Sequence, residues 1–124
     1  MEKLKFINEQ MTAIAVPYEF GQWSSVVQYP YFVGEITEEP TMTEDGLEES
    51  TILLTGFHRG ILLDLEIVKE KIKGHFPPIY GLRAQTDSGA IAVFFDGCFY
   101  VPTGEADLKK IQINLKIKEW KGAV

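Results

Sequence analysis

Apolar and polar residues alternate near the end of the chain, and this alternation is the clearest pattern in the sequence. In LKKIQINLKIKEW the apolar residues are Ile111, Ile113, Leu115 and Ile117, with polar residues between them. A period of two predicts a β-strand with one buried face and one solvated, basic face. Two earlier segments, YPYFVGEITE and ESTILLTGF, are rich in aromatic and β-branched residues. They predict the two strands of a long hairpin.

The second hairpin strand contains an unbroken apolar run, Ile52, Leu53 and Leu54. A strand that is apolar on both sides is typical of one covered on both faces. We therefore expect a helical layer on one side of this strand and a partner on the other.

A helical period occurs in two segments. In ILLDLEIVKEKIKGHF, the apolar residues Ile61, Leu65, Val68 and Ile72 recur at helical spacing. Gly74 follows where a C-terminal cap belongs. Near the N-terminus, Leu4, Ile7 and Met11 share one helical face and predict a short helix.

Three further segments complete the pattern. TAIAVPYEFG predicts an edge strand, because Pro17 lacks a backbone N–H. PPIYGLRAQ predicts a connector, because its two prolines do not continue a helix. AIAVFFDGCFYVP predicts a tight hairpin with Asp96 and Gly97 at its turn. The order favours an α+β fold: a single domain over residues 1–124, with a mixed, mostly antiparallel sheet, one main amphipathic helix and a short N-terminal helix.

Composition and charge limit the classes of function. A chain of 124 residues that is 45% hydrophobic and 24% charged has room for one folded domain. Its net charge of -6 argues against binding to nucleic acid. No apolar run reaches the roughly 18–20 residues of a membrane span, and the N-terminal segment lacks the apolar core of a signal peptide. The lone Cys98 fits a small apolar side chain in a reducing compartment, so we expect a cytoplasmic protein.

The stretch EITEEPTMTEDGLEES is the first candidate for chemistry. Its carboxylates are Glu35, Glu38, Glu39, Glu44, Asp45, Glu48 and Glu49. The ligand spacing of an EF-hand is absent, and in a hairpin most of these side chains point apart. We therefore expect a solvated loop rather than a metal site.

The sequence contains few other candidates for catalysis. His58 and His75 flank the main helix without sharing one of its faces, so we expect structural roles for both. TDSGA lacks the surroundings of a nucleophilic serine, and the chain has no phosphate-binding or dinucleotide-binding motif. We predict no catalytic residue, no metal ligand and no cofactor. An alternative is a small ligand- or peptide-binding regulatory domain, whose pocket would be lined by Tyr18, Phe20, Trp23, Tyr29 and Tyr31.

Between residues 13 and 120, the segments VPYEFGQW, YPYFVGEITE, TMTEDGLEEST, ILLTGFHRG and PTGEADLKKIQINLKIKEW follow one another. In this layout the chain resembles small phage or prophage proteins of Gram-positive bacteria from the head-to-tail module, of the tail-completion or tail-terminator type. The sharpest pieces are PYFVGE and EDGLEEST.

The resemblance implies a non-enzymatic α+β subunit. Such subunits assemble into a ring, often of six copies, that caps the tail tube and joins it to the head. The implied partners are further copies of the chain and tail-tube or head-tail connector proteins, with no nucleic acid and no membrane. The implied location is the bacterial cytoplasm during assembly, then the virion tail or neck. Loops and sheet edges would form the assembly surfaces, which here are Thr41, Met42, Thr43, Glu44, Asp45, Gly46 and Leu47.

Overall fold

The structure is a computed structural model that describes residues 2–22, 26–39, 47–87 and 89–121. Within these ranges the chain forms two helices and six strands. In chain order they are α1 (Glu2–Ala13), β1 (Tyr18–Phe20), β2 (Tyr31–Glu39), β3 (Leu47–Arg59), α2 (Leu62–His75), β4 (Leu82–Thr86), β5 (Gly89–Val101) and β6 (Leu108–Lys121).

All six strands join one sheet in the order β1-β2-β3-β6-β5-β4. The short strand β1 pairs with β2 in parallel, whereas every other neighbouring pair is antiparallel. The predicted α+β fold with a mixed, mostly antiparallel sheet is therefore confirmed. The predicted long hairpin is also confirmed, because β2 and β3 pair from Tyr31 opposite Phe57 to Glu39 opposite Glu49.

One face of the sheet holds the core. The alternating apolar residues of β6, from Ile111 to Ile117, are fully buried on this face, as the period of two predicts. Both helices cover it: α1 contributes Ile7 and Met11, and α2 contributes Leu65 and Ile72. The hydrophobic effect thus selects the face that each strand turns inward.

The predicted hairpin at Asp96 and Gly97 is wrong. These residues lie inside the continuous strand β5, and the pairing with β6 shifts between Phe95 and Cys98. The shift inserts one extra residue in β5, which is a β-bulge. Gly97 has a φ of 112° there. An Asp-Gly pair suits a bulge as well as a turn, because both require a positive φ that glycine adopts without strain.

Four local expectations need smaller corrections. The connector after α2 contains the strand β4, and the predicted edge strand near Pro17 shortens to the three residues of β1. Gly74 lies within α2, which ends at His75 and is closed by a hydrogen bond from the Phe76 N–H to the Ile72 carbonyl. Ile61 precedes the helix and is exposed rather than part of the buried face.

Gly97 and Gly74 provide a matched test of the bulge, because a Cβ would meet nothing within 4 Å at either position. Gly97→Ala is expected to lower the free energy of unfolding by about 1–2 kcal/mol, because alanine is strained at positive φ. Gly74→Ala is expected to raise it by about 0.5–1 kcal/mol, because alanine loses less entropy in a helix. Urea denaturation measures both, and equal effects at the two positions would contradict the bulge.

Candidate functional site

The predicted assembly loop lies mostly outside the described residues. Of the stretch from Thr41 to Leu47, only Leu47 is described, and it is the first residue of β3 rather than part of a loop. Leu47 pairs with Trp120 of β6. Its role as an assembly residue remains a prediction, like that of residues 41–46.

The described carboxylates of the hairpin point to different sides of the sheet. Glu38 faces α1 and forms an ion pair with Lys3 at 3.3 Å. Glu49 faces the opposite side, where its carboxylate lies 3.4 Å from the Lys116 amine and 4.0 Å from that of Lys118. In the described ranges, no group of three or more His, Cys, Asp or Glu side chains could hold a metal ion.

A buried ion cluster joins α1 to the sheet. Lys3 is only 5% exposed, and its amine donates a hydrogen bond to the Ser50 hydroxyl at 3.1 Å. The same amine lies 3.4 Å from the carboxylate of Glu119, which is 6% exposed. The sequence analysis did not identify this cluster. The available signal was spacing, because Lys3 lies four residues before Ile7 and therefore on the buried helical face.

Both histidines connect α2 to the rest of the fold. His58 lies in β3, and its Nε2 is 3.1 Å from the carboxylate of Asp64 in the first turn of α2. His75 ends α2, and its Nε2 is 2.8 Å from the side-chain oxygen of Gln10 in α1. Each contact fixes one end of α2, which fits the structural roles expected from the sequence.

A polar cluster lies between α2 and β5. The Tyr100 hydroxyl donates a hydrogen bond to the Glu66 carboxylate at 2.8 Å, and Lys69 forms an ion pair with the same carboxylate. Hydrogen bonds from Lys69 and Tyr100 lower the pKa of Glu66, whereas partial burial and the Glu66 contact raise the pKa of Tyr100. Both shifts favour the hydrogen bond between the Tyr100 hydroxyl and the Glu66 carboxylate, which joins β5 to α2.

The aromatic residues of the alternative pocket lie on different faces. Tyr18 packs over Gly34 on the helix-covered side, where burial raises its pKa to about 12. Tyr31 lies on the opposite face and stacks on Phe57, with ring centroids 5.2 Å apart. Trp23 lies outside the described residues. The structure therefore does not bring this set together into one pocket.

Large apolar side chains are exposed where α2 begins. Leu63 is 60% exposed and Ile67 is 58% exposed, one helical turn apart. Ile61 and Leu62 extend this exposed area. We call Ile61, Leu62, Leu63 and Ile67 the helix patch. The periodicity of the sequence assigned Ile61 to the core and gave no sign that Leu63 and Ile67 would be exposed.

A second exposed apolar feature follows the end of α2. Ile79 is 80% exposed and Tyr80 is 74% exposed, and we call these two residues the connector tip. A hydrogen bond of 2.9 Å from the Gly81 N–H to the Pro77 carbonyl closes the turn beneath them. Gly81 has a φ of 69° and lies against the ring of Phe94, so the turn is anchored to β5.

The second face of the sheet is not covered by α1 or α2. Lysines of β6 lie over aromatic rings there: the Lys110 amine is 5.6 Å from the centre of the Phe57 ring, and the Lys118 amine is 5.8 Å from that of Phe94. Leu53 is half-buried on this face. The expected partner above Leu53 is thus not supplied by either helix.

No protein-family model matches this chain, and no curated protein matches it either. In the described part of the chain, neither helix has the length and apolar character required to cross a membrane.

Proposed function

We propose that this protein is a non-enzymatic structural protein of a phage or prophage, of the tail-completion or tail-terminator type. It acts by assembling into a ring and by contacting tail-tube or head-tail connector proteins. It resides in the bacterial cytoplasm during assembly and in the tail or neck of the finished virion.

The observation that carries the proposal is the grouping of exposed apolar side chains at the two ends of α2. Isolated exposed apolar residues are common on monomeric proteins, whereas contiguous groups mark interaction surfaces. The helix patch has two exposed apolar residues one turn apart, and the connector tip has two adjacent ones. A subunit that functions by contacting other proteins requires surfaces of this kind.

The sequence resemblance supports the same function independently. Three of the five segments that carry it lie on described strands: YPYFVGEITE covers most of β2, ILLTGFHRG lies at the end of β3, and PTGEADLKKIQINLKIKEW leads into β6. VPYEFGQW and TMTEDGLEEST extend beyond the described residues. The resemblance therefore involves the central strands of the sheet.

Two measurements test the proposal. Light scattering over a wide range of protein concentrations should show species larger than the monomer, alone or after addition of the tail-tube protein encoded nearby. Capsid and major tail genes should flank its gene. A monomer at every concentration, with and without tail-tube protein, together with metabolic genes on both sides, would contradict the proposed function.

Replacing residues 42–46 with Asn-Gly should spare folding and impair assembly. A short hairpin turn of this type keeps β2 and β3 in register, so the free energy of unfolding should change by less than about 1 kcal/mol. Leu47 is retained because it pairs with Trp120 in the sheet. Thermal unfolding and light scattering measure the two effects. Loss of folding would show that the loop belongs to the core. Unchanged assembly would show that the loop is not part of the interface.

A further inference from the structure

The helix patch and the connector tip lie at opposite ends of α2. The helix has 14 residues and is therefore about 21 Å long at 1.5 Å per residue. The connector tip follows its C-terminal end, whereas the helix patch occupies its N-terminal half. The tip therefore does not reach the patch of its own chain, and each surface can meet a second molecule.

The connector tip is a firmly held protrusion. Two prolines, Pro77 and Pro78, restrict its backbone, and Phe76 immediately before them is fully buried. The Phe76 carbonyl also accepts a hydrogen bond of 2.9 Å from the Phe95 N–H of β5. A protruding side chain on a rigid turn loses little conformational entropy when it binds.

The helix patch borders a cleft. A cavity of about 480 Å³ lies beside Leu62. Its lining is mixed: Val101, Pro102, Ala106 and Leu108 are apolar, whereas Thr103, Glu105, Lys109 and Lys110 are polar or charged. Clefts of this size accommodate bulky side chains. The chain thus has an apolar protrusion at one end of α2 and a partly apolar cleft at the other.

Charge separates the two ends of α2. Asp64, Glu66 and Glu70 lie on α2 with the helix patch, and Glu105 lines the cleft beside it. Arg59 and Lys69 neutralise part of this charge through ion pairs, and Lys109 and Lys110 line the same cleft. The connector tip is richer in cations: Arg83 donates a hydrogen bond to the Tyr80 carbonyl, and Lys116 and Lys118 lie beside Ile79 together with Glu49 and Asp96. A contact between tip and patch brings these cations to the carboxylates of the patch, whereas a tip-to-tip contact opposes like charges.

We infer that the connector tip of one copy docks in the helix patch of the next copy, head to tail. This inference rests on the self-assembly in the proposed function and names its interface. Because the two contacting surfaces differ, each added copy leaves one tip and one patch unoccupied until a ring closes. Stable interfaces bury roughly 1,200–2,000 Å². One tip-patch contact is smaller than this, but ring closure gives every copy two contacts.

Mixing two interface variants tests the inference. The tip variant is Ile79→Ser with Tyr80→Ser, and the patch variant is Leu63→Gln with Ile67→Gln. All four side chains are exposed, so circular dichroism and thermal unfolding should match the wild type. In sedimentation velocity, each variant alone should associate at least about tenfold more weakly than the wild type. An equimolar mixture should form a dimer and nothing larger, because it retains one intact tip and one intact patch.

Val26→Ser is the matched control, since Val26 is exposed to a similar degree but belongs to neither surface. It should associate like the wild type. If both interface variants also associate like the wild type, the inference is overturned while the proposed self-assembly stands. If only the patch variant loses association, the patch pairs with itself and the head-to-tail contact is wrong. If the wild type remains monomeric at every concentration, the inference is overturned. Whether the protein binds tail-tube protein then tests the proposed function separately.

A cross-linking experiment covers the case in which an interface variant fails to fold. Tyr80→Cys and Leu63→Cys are each made in a Cys98→Ser background and mixed under mild oxidation. The tip-patch contact predicts a disulfide-linked dimer that contains one chain of each kind. The control is the disulfide between Tyr80→Cys and Val26→Cys. If the disulfide between Tyr80→Cys and Leu63→Cys forms no faster than this control, the inference is overturned.

Discussion

Lys3→Met is expected to lower the free energy of unfolding by about 3–5 kcal/mol, because it leaves a buried carboxylate without its cation. Glu119 is 6% exposed and lies 3.4 Å from the Lys3 amine. The Lys121 amine is more distant, at 3.9 Å, and is itself largely exposed. Urea denaturation at neutral pH measures the loss.

Two variants control for the buried pair. Lys5→Met removes an exposed lysine from the same helix. Lys5 forms an ion pair with Glu9 at 4.0 Å, so its loss should change the free energy of unfolding by less than about 0.5 kcal/mol. The double variant Lys3→Met with Glu119→Leu removes both buried charges and should recover most of the loss. A loss in the double variant as large as that in Lys3→Met would show that packing, rather than the unpaired charge, causes the effect.

Phe32→Ala is expected to destabilise the fold by about 3–5 kcal/mol, the range for removing a large buried aromatic side chain. Phe32 is fully buried in the core face of β2. Its ring lies on Gly56 of β3, directly opposite in the strand pairing, where a Cβ would overlap the ring. Thermal or urea unfolding measures the change.

The contact between Phe32 and Gly56 also predicts coupling between the two positions. Gly56→Ala alone should cost about 1–3 kcal/mol through overpacking. In a Phe32→Leu background the same substitution should cost less, because the smaller side chain leaves space for the methyl group. Equal costs in both backgrounds would mean that the added methyl group does not press on the Phe32 ring. Phe99→Leu is the matched control, since Phe99 is an exposed strand residue and should have little effect.

The sequence predicted the elements whose side chains follow a regular period. The strand β6 alternates without interruption, and Ile7, Met11, Leu65 and Ile72 all bury the predicted faces of their helices. The bulge at Gly97 was not predicted, because an Asp-Gly pair has the same local preference in a bulge and in a hairpin turn. The pairing with β6 decides between them, and this pairing is not a local property of the sequence.

The candidate surfaces were harder to predict from the sequence than the fold was. Periodicity identifies an apolar residue such as Leu63 but does not say whether another element covers it. The helical period places Leu65 on the buried face, but only the placement of α2 on the sheet shows that Leu63 is left exposed. The buried role of Lys3 depends in the same way on Glu119, which lies more than a hundred residues away along the chain.

The position of β6 sets the order in which the chain can fold. It comes after all the other described strands along the chain, yet it lies between β3 and β5 and pairs with both along most of its length. Until β6 has left the ribosome, the edges that β3 and β5 offer to it are unpaired. Contacts between such distant segments slow folding and leave strand edges open to aggregation. Completion of the sheet therefore waits for β6, and a chain truncated before residue 108 would present two separate sets of strands with exposed edges.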